Sequence, residues 1–309
     1  MANNEYLVFD LGGTYLKYAL MNEDGNISYK NRVPSPAHNC DVDGFFQVFE
    51  SIIVQYEDLI SGIAVSLPGI IDSRNGVVLA IGAFPVMNQY EFKRELQLRC
   101  NLPVSIENDG KCAALAEVWK GNLAGVRDGA VMVLGTAVGG GIVLDGKLRR
   151  GIHFSAGEYS GVCVDKNAPA EGESYFSRLG AQGLIQMAAK RSGEDWQKLS
   201  GETLFERINH DHDEDAIASL KEYTDALAVQ LFNLNIVLDL EKICIGGGIS
   251  QQPVLMTYLK ESVENLKNVH PDIRAGVGLP LPNIDICRFY NDANLIGALY
   301  HYLYEGEDV

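Results

Sequence analysis

Basic residues are scarce in this chain: 25 Lys and Arg stand against 41 Asp and Glu, a formal net charge of −16 over 309 residues. A nucleic-acid partner needs a compensating basic surface, so none is expected. Long-range attraction to an anionic membrane is disfavoured for the same reason. Paired cysteines are missing as well. The six cysteines, at 40, 100, 112, 163, 244 and 287, form no CxxC or CxC pair. That spacing excludes a disulfide scaffold and suits a reducing compartment. No apolar run approaches the roughly 18 residues of a membrane span. The opening stretch MANNEYLVFDLGG lacks a basic n-region, so no signal peptide is expected. What is present is a globular composition, 47% apolar and 21% charged, with core material for two domains or two lobes. The expectation is an acidic, cytoplasmic protein.

The apolar run Tyr6 to Phe9 ends in Asp10-Leu11-Gly12-Gly13-Thr14, and a second, Lys17 to Met21, ends at Asp24-Gly25. Asp-Gly between apolar segments is a hairpin signal, so the first glycine pair sits in a strand–loop–strand and does not open a helix. Phe45, Phe49, Ile52, Ile53, Tyr56 and Ile60 recur with helical period. Ile63 to Leu67 reads as a strand stopped by Pro68-Gly69. Val104 to Ile106 is another, with Glu107-Asn108-Asp109 at its end and a helix over Cys112 to Trp119 beyond. The layout then restarts with strand Ala130 to Leu134, loop Gly135 to Gly141, strand Ile142 to Leu144 and turn Asp145-Gly146. Helices are predicted over Glu173–Lys190, Asp215–Leu238, Val254–Leu266 and Asp292–Tyr304. Strand Lys242 to Ile245 runs into Gly246-Gly247-Gly248. Alternating strands and helices predict an α/β chain. The repeated layout predicts two similar lobes, 1–115 with 291–309 and 116–290.

Two glycine loops that follow strands suit phosphate, because glycine lets backbone N–H groups approach its oxygens. Thr14 and Thr136 add hydroxyl donors. Asp10, with Lys17 nearby, suits Mg²⁺ directly or through water. Either loop alone reads equally as a tight turn; finding both favours phosphate. Gly141 to Leu148 matches a P-loop until Leu148 replaces the Ser/Thr that would hold Mg²⁺, so a Walker A site is rejected. No G-x-G-x-x-G opens a helix, which disfavours a dinucleotide fold. Asn108-Asp109 either caps the following helix or supplies a general base, with Asn108 orienting a hydroxyl substrate. Glu158 and Glu173 are either solvated acids or carboxylates accepting from a sugar diol. His210 to Asp215 reads as a solvated loop, with Asp213 to Asp215 at the N-terminus of the next helix.

These segments together resemble the ROK family of sugar kinases in the actin-like ATPase superfamily, over nearly the whole chain. The first phosphate loop is similar at Asp10 to Thr14, the Pro-Gly segment at Leu67 to Asp72, and the catalytic segment at Glu107 to Ala114. The second phosphate loop is similar at Gly135-Thr136 with Gly139 to Gly141, the adenosine-side glycines at Gly246 to Ile249, and the closing helix at Asn291 to Ala298. The resemblance implies a two-lobed actin-like ATPase (ribonuclease H-like) fold, with nucleotide and sugar in the interlobe cleft. It implies ATP and Mg²⁺, with contacts from Asp10, Gly12, Gly13, Thr14, Lys17, Gly135, Thr136, Gly246, Gly247 and Gly248. It implies Asp109 as the base and Gly69, Asn88, Asn108, Asp109, Glu158 and Glu173 around the sugar, phosphorylated at C6.

One departure stands out. The family pattern Gly-Glu-Ile-Gly-His, with a zinc-binding cysteine cluster after it, reads here as Gly157-Glu158-Tyr159-Ser160-Gly161 followed by a single Cys163. No structural zinc is expected. Losing the histidine and the zinc loop removes contacts near C1 and C2 of the sugar. That leans towards a β-glucoside kinase, with glucokinase and N-acetylmannosamine kinase as alternatives. A homodimer is a family expectation. A non-catalytic sugar sensor is the reading of another class. Relatives with that role carry a DNA-binding helix-turn-helix, for which the residues before Asp10 leave no room.

Overall fold

A computed structural model describes residues 4–163 and 176–305. The chain divides into two compact units. The first comprises Met1–Gly121, Leu148–Ala156 and Asp292–Val309, and the second comprises Asn122–Lys147 and Gly157–Asn291. Among the described residues, no helix is long and apolar enough to cross a membrane.

The first unit begins with β1 (Glu5–Leu11), β2 (Tyr15–Asn22) and β3 (Ile27–Pro34), followed by α1 (Val42–Ile53), β4 (Ile60–Leu67) and the small hairpin β5 (Ile70–Asp72) and β6 (Val77–Ala80). Then come α2 (Phe92–Cys100), β7 (Val104–Asn108) and α3 (Asp109–Lys120). The main sheet has the order β3-β2-β1-β4-β7. β1, β4 and β7 run parallel, and β2 and β3 are antiparallel additions. The runs in β1, β4 and β7 are almost wholly buried, as expected for strands covered on both faces. α1 starts at Asp41, whose carboxylate accepts from the Gly44 N–H at 2.8 Å. Its buried Phe45, Phe46 and Phe49 join Phe9, Phe84 and Phe92 in one aromatic core. The Phe9 and Phe49 rings meet edge-on at 5.1 Å, the geometry the ring quadrupoles prefer.

The second unit repeats the plan. β8 (Gly129–Leu134) and β9 (Val138–Leu144) form an antiparallel hairpin, and β10 (Lys147–Leu148) follows. After α4 (Ala181–Ser192), α5 (Glu214–Leu238), β11 (Lys242–Gly246), α6 (Pro253–Val269) and β12 (Ile284–Ile286), the sheet order is β10-β9-β8-β11-β12. β8, β11 and β12 are parallel. Leu220, Tyr223, Leu227 and Leu231 of α5 are fully buried and form one apolar stripe along the helix. Asp213 caps α5 by accepting from the Asp215 and Ala216 N–H groups. The preceding helical turn Arg207–Asp211 takes in His210 and Asp211, the first two residues of the loop predicted over His210 to Asp215.

Of the helix predicted over Glu173–Lys190, residues 173–175 lie outside the described residues; a short turn covers Phe176–Leu179 and α4 runs from Ala181. Gly180, extended at ψ 179, breaks the two apart. The chain returns to the first unit with α7 (Ala293–Tyr300), which packs along α3. Contact there is close enough that a Cβ on Gly297 would overlap the Cys112 carbonyl oxygen.

Candidate active site

In the first unit the register of three parallel strands sets Asp10, Ser66 and Glu107 side by side near the strands' C-terminal ends. Open α/β sheets present ligand sites at that edge. Asp10 is 4% exposed and fully engaged. Its Oδ1 accepts from Ser66 Oγ at 3.1 Å and Asn294 Nδ2 at 3.0 Å, and its Oδ2 accepts from Lys17 Nζ at 3.1 Å. The loop after β1 is tied down from both sides. Gly12 N–H donates to Tyr15 O, Ser35 Oγ donates to Gly12 O at 2.7 Å, and Ser35 N–H donates to Thr14 O. Gly13 and Thr14 are exposed, and a Cβ on Gly13 would touch nothing within 4 Å. The loop therefore offers an open backbone surface.

Asn108 caps α3: its Oδ1 accepts from the Lys111 N–H at 3.0 Å. Its Nδ2 donates to Gly69 O at 2.8 Å and to Asp109 Oδ1 at 3.1 Å. Asp109 Oδ1 also accepts from the Gly110 N–H at 2.7 Å. Capping, one of the two readings of Asn108-Asp109 in the sequence, is present, and the same amide contacts the Asp109 carboxylate. Asn108 fixes the helix start and aims the half-buried carboxylate next to it. Gly69 takes φ +97, where a Cβ would overlap Ala80 O, so only glycine brings that carbonyl to Asn108. Asn88 is exposed, with its Oδ1 accepting from the Ile81 N–H at 2.7 Å. Cys112 lies beneath this cluster. Burial pushes its thiol well up, and the carboxylates of Glu107, Asp109 and Asp10 push the same way.

In the second unit, Gly135 N–H donates to Ala137 O at 3.0 Å and the Ala181 N–H of α4 donates to Gly135 O at 2.8 Å. A Cβ on Gly180 would come within 2.7 Å of both Gly135 O and Ala137 O. The positive end of α4 thus abuts the second glycine loop. A cavity of about 280 Å³ opens there, lined by Thr136, Ala137, Arg178, Gln182, Gly183 and Gln186. Gly247 packs against the end of β8 at Leu134, so Gly246 to Gly248 and Gly135-Thr136 lie at neighbouring strand ends. Gly140 takes φ +155 against Val131 and the buried Tyr159 ring. Glu158 follows Gly157, itself packed on Gly140 O. Glu173, and the 164–175 stretch on which the zinc expectation turns, lie outside the described residues.

The donor set fits a magnesium nucleotide. Asp10 already accepts from three donors, one of them an ammonium, so it suits Mg²⁺ held through water rather than by direct ligation. Lys17 spends its charge on Asp10, and Arg178 brings a cation to the second loop. Neither Arg178, Ser66, Ser35 nor Asn294 was singled out as a site residue in the sequence. Arg178, Ser66 and Ser35 are single polar residues without a local motif, and Asn294 lies in the segment similar to the family's closing helix.

Residues 6–301 match the family model described as ROK family. The chain belongs to the ROK family. It is 31% identical over 304 residues to a beta-glucoside kinase of Klebsiella pneumoniae, covering 97% of each chain. An N-acetylmannosamine kinase of Haemophilus influenzae is 27% identical over 304 residues, covering 95% of this chain and 94% of the relative. Among solved structures, a ROK family protein of Streptococcus pneumoniae in complex with sucrose superposes with a TM-score of 0.84 at 27% identity, covering 97% of this chain and 98% of that one. The fold of this ROK chain is that of the actin-like ATPases, and its two sheets of equal order are the repeated halves of that fold.

Proposed function

We propose that this chain, an ATP-dependent carbohydrate kinase of the ROK family, phosphorylates the C6 hydroxyl of a hexose or hexoside, with a β-glucoside as the preferred class. The arrangement of Asp109 supports this most directly. A helix N-terminus and two N–H donors fix the direction of its carboxylate. That carboxylate is assigned the proton of the attacking hydroxyl. Asn88, Glu158 and Glu173 are assigned to sugar hydroxyls, with Gly69 and Asn108 shaping the pocket beside Asp109. Gly12 to Thr14, Gly135-Thr136 and Gly246 to Gly248 present backbone to the nucleotide. Asp10 orients the water shell of the metal. Mg²⁺, when bound with ATP, neutralises charge on the transferring phosphoryl oxygens.

Two things support the sugar class. Gly161 stands where the family histidine would crowd C1 and C2, and the beta-glucoside kinase shares 31% identity over almost the full length. A coupled assay with ATP and cellobiose, glucose or N-acetylmannosamine tests it. Cellobiose should give the highest kcat/KM, and a preference for N-acetylmannosamine would overturn the assignment. Asp109→Asn should keep its melting temperature and sugar binding and lose turnover by about 10²- to 10⁴-fold. A wild-type rate in that variant removes Asp109 from the mechanism. Sugar binding without turnover in the wild type would instead make the chain a sensor.

A further inference from the structure

Glu107, immediately before Asn108-Asp109, is fully buried at 0% exposed. A carboxylate without water needs partners. Oε1 accepts from the Asn108 backbone N–H at 2.8 Å, and Oε2 accepts from Arg150 Nε at 2.6 Å. Arg150 belongs to Leu148–Ala156, a stretch of the first unit inserted between two stretches of the second. The stretch closes on itself where the Ala156 N–H donates to Arg150 O at 3.2 Å. The guanidinium is 14% exposed, and its Nη2 lies 3.3 Å from Nδ1 of the buried His301. Arginine can only donate. Arg150 is therefore the donor in this contact and His301 Nδ1 the acceptor. Arg150 is gripped by Glu107 on one side and by the turn after α7 on the other.

We propose that Arg150 is a positioning residue for the phosphoryl transfer: through Glu107 it fixes the backbone that aims Asp109. The proposal presupposes the kinase reading above. The path from guanidinium to base is short: Arg150 Nε to Glu107 Oε2, Glu107 Oε1 to Asn108 N, and Asn108 Nδ2 to Asp109 Oδ1. The pair also cancels charge. Without Arg150, a bare carboxylate would sit two residues from the base and raise its proton affinity. Without Glu107, the positive guanidinium would lower it. Other titratable groups on the elements packed against β7 include Asp72, Lys111, Cys112, Glu117, Lys120, His301 and Tyr302, with Asp10 on β1 and Lys17 on β2 beyond β4. The charged side chains of α2 pair among themselves and with α1. All of these are common to every variant below.

The test compares wild type, Arg150→Met, Glu107→Gln and the double variant, with Asp109→Asn alongside. Each is measured for melting temperature, sugar KM, and kcat against pH. A misaimed base loses on the order of 100-fold in rate when displaced by about 1 Å. Arg150→Met should accordingly lose about 10- to 100-fold in kcat at temperatures where it is fully folded, with sugar KM within about threefold. The acidic limb of kcat should move to higher pH in Arg150→Met, to lower pH in Glu107→Gln, and back towards wild type in the double variant. A merely structural pair would lower melting temperature and leave those limbs in place. Folded Arg150→Met with wild-type kcat, or identical limbs in all four proteins, overturns the proposal. Should Arg150→Met not fold, Arg150→Lys keeps the charge without the planar fork. It should lose kcat without moving the limb, and wild-type kcat there overturns the proposal equally. A wild-type rate in Asp109→Asn would instead defeat the kinase assignment itself, and this inference with it.

Discussion

The loop Gly12–Thr14 and the loop Gly135–Ala137 occupy equivalent places in sheets of equal strand order, yet they are held by different chemistry. The first adds side-chain braces to its backbone bonds: Ser35 Oγ on its carbonyl, and Lys17, Ser66 and Asn294 on the carboxylate at its base. The second is braced by backbone. A helix start donates to it, and Gly180 and Gly140 let main chains approach where any Cβ would intrude. A duplicated scaffold therefore does not imply duplicated sensitivities. The first unit should fail mainly by losing chemistry, and the second by losing its fold.

The largest effect expected from this contrast is on stability. Gly140→Ala puts a side chain at φ +155, into Val131 O and the Tyr159 ring. It should destabilise by about 2–4 kcal/mol, read by urea denaturation, whereas Gly139→Ala, with open space around it, should change little. Equal effects at the two positions would break the comparison. Asp10→Asn comes next. It sets an amide donor against one of the three donors now pointing at that carboxylate, and should cost about 1.5–3 kcal/mol of stability. Turnover should fall by about 10- to 100-fold and require more Mg²⁺ for half-maximal rate, measured by metal titration of the initial rate. The smallest and most diagnostic change is Gly13→Ala. Nothing lies within 4 Å of the new Cβ, so stability should stay within about 0.5 kcal/mol. The KM for ATP should nevertheless rise several-fold, because the methyl stands where a phosphate approaches. An unchanged ATP KM would remove the first loop from nucleotide binding.

Much of this was legible in the chain. The strand–loop–strand units around Gly12 and Gly135, α1 and the Asn108-Asp109 junction all announced themselves through apolar runs that stop at Gly or Asp. β3 did not, because Ser28 to Arg32 are exposed and an edge strand in water has no apolar alternation to read. The break at Gly180 inside the helix predicted over Glu173–Lys190 went unread, because helical periodicity does not register what Gly180 must avoid across the sheet. The polar partners escaped for a related reason. Ser66 and Asn294 converge on Asp10 from 56 and 284 residues away, and Arg150 reaches Glu107 over 43. Such contacts are products of strand register and helix packing, and no local spacing encodes them.

Because the first unit closes only when α7 docks, its completion is deferred during synthesis. Asn294, a donor to Asp10, leaves the ribosome after every residue of the second unit, 122–147 and 157–291, has been made. Until then the nascent first sheet exposes the face that α7 will cover, a long-range contact of the kind that slows folding and invites chaperones. Severing the chain between 122 and 291 would likewise give no independent halves, since neither unit is a contiguous stretch.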